Sequence, residues 1–277
     1  MAPPIVFIHG AFCGGWSFDE FRTAFEGAGY ETHAPNMPHH ERGADLELLA
    51  QTGVDDYANA YVHYARELSE PPILIGHSLG GLVAQLVAAR MKAQALVLLA
   101  PSAPWGVPPT TINETSNAFG VAMLGDYWRR PIPPDFRIAR QTTLDRLSRD
   151  AARRAFARFL PESGRAIMEV VHWWLDRTMA AAAPAYKIAA PVLAIAGGQD
   201  HVNSATTVRR IAARYKDGQA QFHEFPEMSH WLIGEPEWRD VAGLSLDWLA
   251  AKGLAPKSSK KKKPMRLFGL GGERPEA

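Results

Sequence analysis

Ile73-Leu74-Ile75-Gly76-His77-Ser78-Leu79-Gly80-Gly81-Leu82 decides how the rest of the chain is read. Ile73–Ile75 is too short for a helix and consists of aliphatic, mostly β-branched residues, as a strand buried on both faces requires. From Leu82 to Ala89 the pattern turns helical, so Ser78 stands on a strand–turn–helix corner. Glycines at 76 and 80 leave room for a turn too sharp for side chains, and Gly81 extends the close approach. The corner lifts the Ser78 hydroxyl clear of the strand ends. The helix behind it directs N–H groups and positive dipole toward any negative charge that develops there, which suits a nucleophile.

Working outward, the same short apolar runs recur at Ile5–Ile8, Leu96–Leu99 and Val192–Ala196, bounded by Pro or Gly. Helical patterns lie between them. The clearest places Val54, Tyr57, Ala58, Tyr61, Ala65 and Leu68 on one face, with earlier and later helices over Phe18–Gly27 and Val241–Ala251. Alternating strand and helix predicts an α/β fold with a mostly parallel sheet covered on both sides. The alternation breaks at residues 103–183, where Pro-rich turns lead into Ala- and Arg-rich helical stretches, which reads as a helical lid inserted after one strand. Residues 1–102 and 184–252 then form the core, and 253–277, with the run Lys257–Lys263, reads as a disordered basic tail.

Composition narrows the function classes. The 277 residues carry 30 Lys+Arg and 29 Asp+Glu, a balance that argues against a nucleic-acid binder. The tail holds seven basic and two acidic residues, so the basic character is confined to it. One cysteine, Cys13, permits neither an internal disulfide nor a cysteine metal cluster. With no charged-then-apolar leader at the start, the expected compartment is the reducing cytoplasm. No window reaches the ~20 apolar residues of a membrane span.

A serine hydroxyl is a weak nucleophile and needs a base oriented by a carboxylate. The later strands supply both in order. Val192–Ala196 runs into Gly197-Gly198-Gln199-Asp200, and Gln221–Phe225 leads to Pro226-Glu227-Met228-Ser229-His230. Asp200 and His230 each fall just past a strand, behind Ser78 in the chain order expected of this architecture.

On these residues the chain resembles the α/β-hydrolases over residues 4–252. Its opening motif, His9-Gly10-Ala11-Phe12-Cys13-Gly14-Gly15-Trp16, is similar to the branch of plant methylesterases, hydroxynitrile lyases and many bacterial esterases. The resemblance implies the α/β-hydrolase fold with about six strands, since the chain enters its first strand without room for the N-terminal hairpin of larger members. It implies Ser78, Asp200 and His230 as the catalytic triad and the backbone N–H groups of Ala11 and Leu79 as the oxyanion hole. It also implies that His9 shapes the oxyanion loop. A serine at 78 separates the chain from relatives that use an aspartate there, the haloalkane dehalogenases and epoxide hydrolases. The lysine associated with hydroxynitrile lyases near the histidine is missing, as Glu227, Met228 and Ser229 precede it.

Other residues take plainer readings. His39, His40 and Glu41 are adjacent in sequence and read as a polar loop rather than a metal site. Cys13 reads as small-residue packing. Among the tryptophans, Trp105 adjoins a strand end and Trp231 adjoins His230; with Phe12 they are the expected substrate-binding residues of a compact apolar pocket, while Trp128, Trp173 and Trp174 fall within the insertion. The expected activity is hydrolysis of small to medium apolar acyl or aryl esters through an acyl-enzyme, with no metal or organic cofactor. A perhydrolase or C–C hydrolase would keep the same triad. A slow-turnover ligand receptor on the same scaffold is the alternative of another class.

Overall fold

The computed structural model describes residues 2–123 and 125–256. Its main sheet has six strands: β1 (Ile5–Ile8), β2 (Thr32–His33), β3 (Ile73–His77), β4 (Ala95–Leu99), β7 (Val192–Gly197) and β8 (Ala220–Phe225). Every pairing is parallel, in the order β2-β1-β3-β4-β7-β8. Period-two alternation sorts the four inner strands, β1, β3, β4 and β7, between two cores. Ile5, Phe7, Ile73, Ile75, Val97, Leu99, Leu193 and Ile195 face α1 (Asp19–Gly27) and α10 (Trp238–Ala251). Val6, Ile8, Leu74, Leu96, Leu98 and Val192 face α3 (Val54–Arg66) and α4 (Leu79–Arg90). Because both faces of β1, β3, β4 and β7 are covered, these four strands carry continuous apolar runs, which makes them readable in the sequence.

Amphipathic spacing predicted α3, and the element ends two residues short of Leu68. The expected helix from Phe18 starts at Asp19, after a 3-10 turn over Gly15–Phe18, and the final helix begins three residues early, at Trp238. α4 is different in kind, with every residue from Leu79 to Ala88 buried. It lies against β1 so closely that a Cβ on Gly80 would sit 2.0 Å from the Ile8 carbonyl oxygen.

The chain leaves the sheet after β4 and returns at β7. In between are α5 (Ile112–Ala122), α6 (Phe136–Thr142), α7 (Arg149–Phe156) and α8 (Gly164–Val171). A two-stranded antiparallel ribbon, β5 (Pro131–Ile132) with β6 (Glu162–Ser163), was not foreseen. α8 docks onto the core through Glu169, which accepts the Val54 N–H at 2.7 Å and so caps α3. α9 (Ala205–Ala212) and the short α2 (Leu46–Gln51) complete the α-helices among the described residues.

The tail expected from 253 onward is described only to residue 256. Leu254 packs partly buried against the core and Pro256 lies beside Gly29; residues 257–277, with the lysine run, are outside the described residues. No helix among the described residues is long and apolar enough to cross a membrane.

Candidate active site

Ser78 occupies the corner between β3 and α4 with φ 53° and ψ −122°, a conformation side chains rarely adopt. The surroundings hold it there. The Ser78 N–H donates to the Leu99 carbonyl at 2.9 Å, and the Ser78 carbonyl accepts from Gly81 and Ser102 at 2.9 Å each. A Cβ on Gly76 would lie 2.2 Å from the Gly80 carbonyl oxygen, so the turn closes only with glycine at that position.

The structure brings the three expected side chains into line. His230 Nε2 is 3.0 Å from Ser78 Oγ, and His230 Nδ1 is 2.8 Å from Asp200 Oδ2. All three residues are buried. Asp200 is fixed from its other side, because its Oδ1 accepts the N–H groups of Val202 and Asn203 at 2.7 and 2.9 Å. A carboxylate facing Nδ1 selects the tautomer with the proton there and leaves the Nε2 lone pair for the serine hydroxyl.

His77 holds His230 from behind. Its Nε2–H donates to the His230 carbonyl at 2.8 Å, while its Nδ1 is buried without a hydrogen-bond partner among the described residues. Burial, and secondarily the neighbouring His230, push the His77 ring down to about 3, so it stays neutral. Nothing in the sequence marks this role, since the contact spans 153 positions.

The loop after β1 passes beside the serine: a Cβ on Gly10 would be 3.2 Å from Ser78 Cβ. His9 shapes it as expected. The Met37 N–H donates to His9 Nε2 at 2.8 Å, which leaves the ring proton on Nδ1 to donate to the Gly10 carbonyl at 2.9 Å. Burial, then the nearby His40, lower this ring to about 3 as well. Among the described residues no backbone acceptor engages the Ala11 N–H, and Leu79 opens α4, where an N–H has no helical acceptor.

Over the serine opens a cavity of about 520 Å³. Ser78, His230, Ala11, Leu79, Phe12 and Trp231 all line it. Trp105 is placed differently: it packs edge-on against Trp173, 5.0 Å between ring centroids, and Trp173 is the one that reaches the cavity. Much of the wall comes from the segment between β4 and β7, including Ile132, Ile138, Ile167 and Val170. Its charged members are Glu114 and Asp135, both already engaged with backbone N–H groups, and it has no Lys or Arg among the described residues.

His40 departs from the reading of a polar loop. It is fully buried, with Nε2 3.1 Å from Glu162 Oε2 and Nδ1 3.0 Å from the Pro38 carbonyl. No group of three or more His, Cys, Asp or Glu suited to a metal ion occurs among the described residues. Cys13 is buried, and burial followed by the nearby Glu162 charge drives its thiol far above the ordinary range, in keeping with a packing role.

Among solved structures the chain is similar to a monoacylglycerol lipase from Paleococcus ferrophilus, at 24% identity over 91% of this chain and 97% of that one, with a TM-score of 0.66. It is also similar to a methylesterase from Arabidopsis (15% identity, 90% and 99% covered, TM-score 0.67) and to a pyrethroid hydrolase from Sphingobium faniae (20%, 91% and 98%, 0.64). At such identities the likeness is one of fold. No curated protein matches the chain in sequence. The family model described as the alpha/beta hydrolase family matches residues 5–242. Since that match runs from the first residue of β1 into α10, the chain belongs to the alpha/beta hydrolase family.

Proposed function

We propose that the protein is a serine esterase that hydrolyses neutral carboxylic esters bearing small to medium apolar acyl or aryl groups. The observation that carries this reading is the unbroken line Asp200–His230–Ser78, with the strained serine opening into an apolar cavity. Ser78 Oγ attacks the ester carbonyl as His230 Nε2 takes its proton, and Asp200 stabilises the resulting imidazolium. The N–H groups of Ala11 and Leu79 receive the oxyanion, a contribution on the order of 3 kcal/mol for each well-placed donor. Collapse of the tetrahedral intermediate expels the alcohol, which takes the proton back from Nε2. Water then repeats the steps on the acyl-enzyme. No metal or organic cofactor takes part.

The cavity wall supports the substrate class. With no Lys or Arg on the cavity wall among the described residues, a substrate carboxylate would be desolvated there without a partner, at a cost of several kcal/mol. Phe12, Trp231 and Trp173 offer apolar contact instead, and residues 103–183 act in this reading as a lid that bounds the acyl site. Each matched methylene adds about 1 kcal/mol until the pocket is full.

Two measurements test it. Ser78→Ala should lower kcat on p-nitrophenyl esters by about 10⁴-fold or more and abolish labelling by a fluorophosphonate, with the fold retained. Parental activity in Ser78→Ala would end the assignment. Across acyl lengths, kcat/KM should pass through a maximum at short to medium chains, and Trp173→Ala should move that maximum; an optimum at long chains contradicts the compact pocket.

A further inference from the structure

Glu162 is a carboxylate with no solvent exposure, carried by β6 in the segment between β4 and β7, and the chemistry above does not use it. Four donors converge on it. Oε1 accepts from the Tyr57 hydroxyl and the Ser163 N–H, both at 2.7 Å, and Oε2 accepts from His40 Nε2 at 3.1 Å and from the Phe12 N–H at 3.2 Å. His40 faces an acceptor at each ring nitrogen, so both are donors and the pair is ionic. Burial alone would raise the Glu162 carboxyl, but the His40 charge and these hydrogen bonds hold it below its ordinary range.

The fourth donor connects this cluster to the reaction. Phe12 lies one residue past Ala11 and has φ 63°, a left-handed conformation that side-chain-bearing residues rarely adopt and that persists only where neighbours over-determine it. Both of its backbone groups are engaged by the inserted segment. Glu162 takes the N–H, and the Leu160 N–H donates to the carbonyl at 2.8 Å. On the preceding side, the Gly10 carbonyl accepts from His9 Nδ1 and from the Cys13 N–H, at 2.9 and 3.3 Å. Across a trans peptide the C=O and the next N–H point opposite ways, so a held Gly10 carbonyl fixes where the Ala11 N–H points. Ala11 thus has a fixed peptide on each side, one held by His9 and the other by Glu162.

We propose that Glu162 is a positioning residue for ester hydrolysis, which holds the Ala11–Phe12 peptide so that the Ala11 N–H is pre-aimed at the oxyanion. This rests on the esterase reading given above. Replacing the carboxylate by an amide leaves one acceptor oxygen for the Ser163 and Phe12 N–H groups; with that oxygen on the Ser163 side, the Phe12 N–H loses its buried acceptor, the loop relaxes out of the left-handed conformation, and the Gly10 carbonyl alone is left to direct the Ala11 N–H. Substrate still binds in the apolar cavity, so the loss falls on the transition state.

The test compares Glu162→Gln with Glu169→Gln, a second buried carboxylate that docks the same segment onto α3 through the Val54 N–H and the Arg165 side chain rather than through Phe12. Glu162→Gln should lower kcat about 10- to 100-fold with KM within about threefold of the parent, and affinity for an alkyl boronic acid, which forms a tetrahedral adduct on Ser78, should fall in step with kcat. Glu169→Gln should lower Tm while leaving kcat and boronic acid affinity within about twofold. A Glu162→Gln enzyme with parental kcat, or one altered in KM alone, overturns the positioning role, as does a comparable loss of kcat in Glu169→Gln. Should Glu162→Gln fail to fold, His40→Gln, which leaves the carboxylate but removes its counter-charge, should show a smaller fall of about 3- to 10-fold with the same split, and an unchanged kcat there is equally fatal. Fluorophosphonate labelling of the parent separates the two readings. A parent labelled at Ser78 and active, with a silent Glu162 variant, removes only the positioning role; a parent neither labelled nor active removes the esterase reading and this proposal with it.

Discussion

At the scale of single residues, the molecule keeps two neutral histidine rings where a charge would be costly. His9 and His77 both have folded values near 3 against 6.5 for a free ring. As pH falls from 6.5 toward 3 the unfolded chain takes up these protons before the native one does, so stability falls with falling pH, by at most about 1.4 kcal/mol per pH unit for each ring. His40 runs the other way. Burial would lower it, but the Glu162 charge and hydrogen bond raise it, so its stabilisation is complete below 6.5 and is lost as pH rises through the folded value. The urea midpoint should therefore decline from pH 6.5 to pH 4, and His77→Gln, whose amide can still donate to the His230 carbonyl, should flatten that decline by about one ring's share. An acid limb of equal slope in His77→Gln would contradict the assignment of a buried neutral ring.

At the scale of elements, α4 shows what the serine corner demands of its neighbours. It is buried all round, and Gly80 is the point at which its backbone meets that of β1. Gly80→Ala would drive a Cβ within 2.0 Å of one carbonyl oxygen and 2.4 Å of the next, so we expect a loss on the order of 3 kcal/mol or more in denaturant unfolding. Gly243→Ala in α10, where a Cβ meets nothing within 4 Å, should instead gain about 0.5–1 kcal/mol. Equal responses from the two would refute the close approach. The same contrast explains what was legible in sequence. β1, β3, β4 and β7 announce themselves because burial on both faces demands unbroken apolar runs, and Ser78, Asp200 and His230 because each stands at a strand end. β2, β5 and β6 are two residues each, too short for any periodicity. Trp105 was expected in the pocket because it follows a strand, but the chain turns and puts Trp173 in front of it. Glu162 was invisible for another reason: its partners at Phe12, His40 and Tyr57 lie 150, 122 and 105 positions away, and pairing over such distances leaves no local pattern.

At the scale of the whole molecule, the segment between β4 and β7 grips each of the three loops that carry the proposed chemistry. Glu162 and Leu160 hold Phe12. Asp145 accepts from the Ser229 hydroxyl at 3.0 Å, and Arg146 pairs with Glu235 just past His230 at 3.0 Å. On the Asp200 side, Glu114 accepts the Ser204 N–H at 2.8 Å and Asn117 donates to the His201 carbonyl at 2.8 Å. The segment's place between neighbouring strands also sets a timetable for synthesis. β4 pairs with β7, yet Val192 follows Leu99 only after the whole excursion has been made, which at about 5–20 residues per second takes on the order of 5–20 s on the ribosome. Through that interval Ala95–Leu99 presents an apolar edge with nothing beside it, the kind of edge that recruits other chains. A chain ending at Ala190 should accordingly collect in the insoluble fraction while the full chain stays in solution; a soluble, folded fragment would show that the edge is covered some other way. The hydroxyl can reach its corner early, since its holding bonds to Leu99 and Ser102 are local, but the base arrives last. The proposed esterase activity is then the final property a newborn molecule acquires, well after most of its sheet has been laid down.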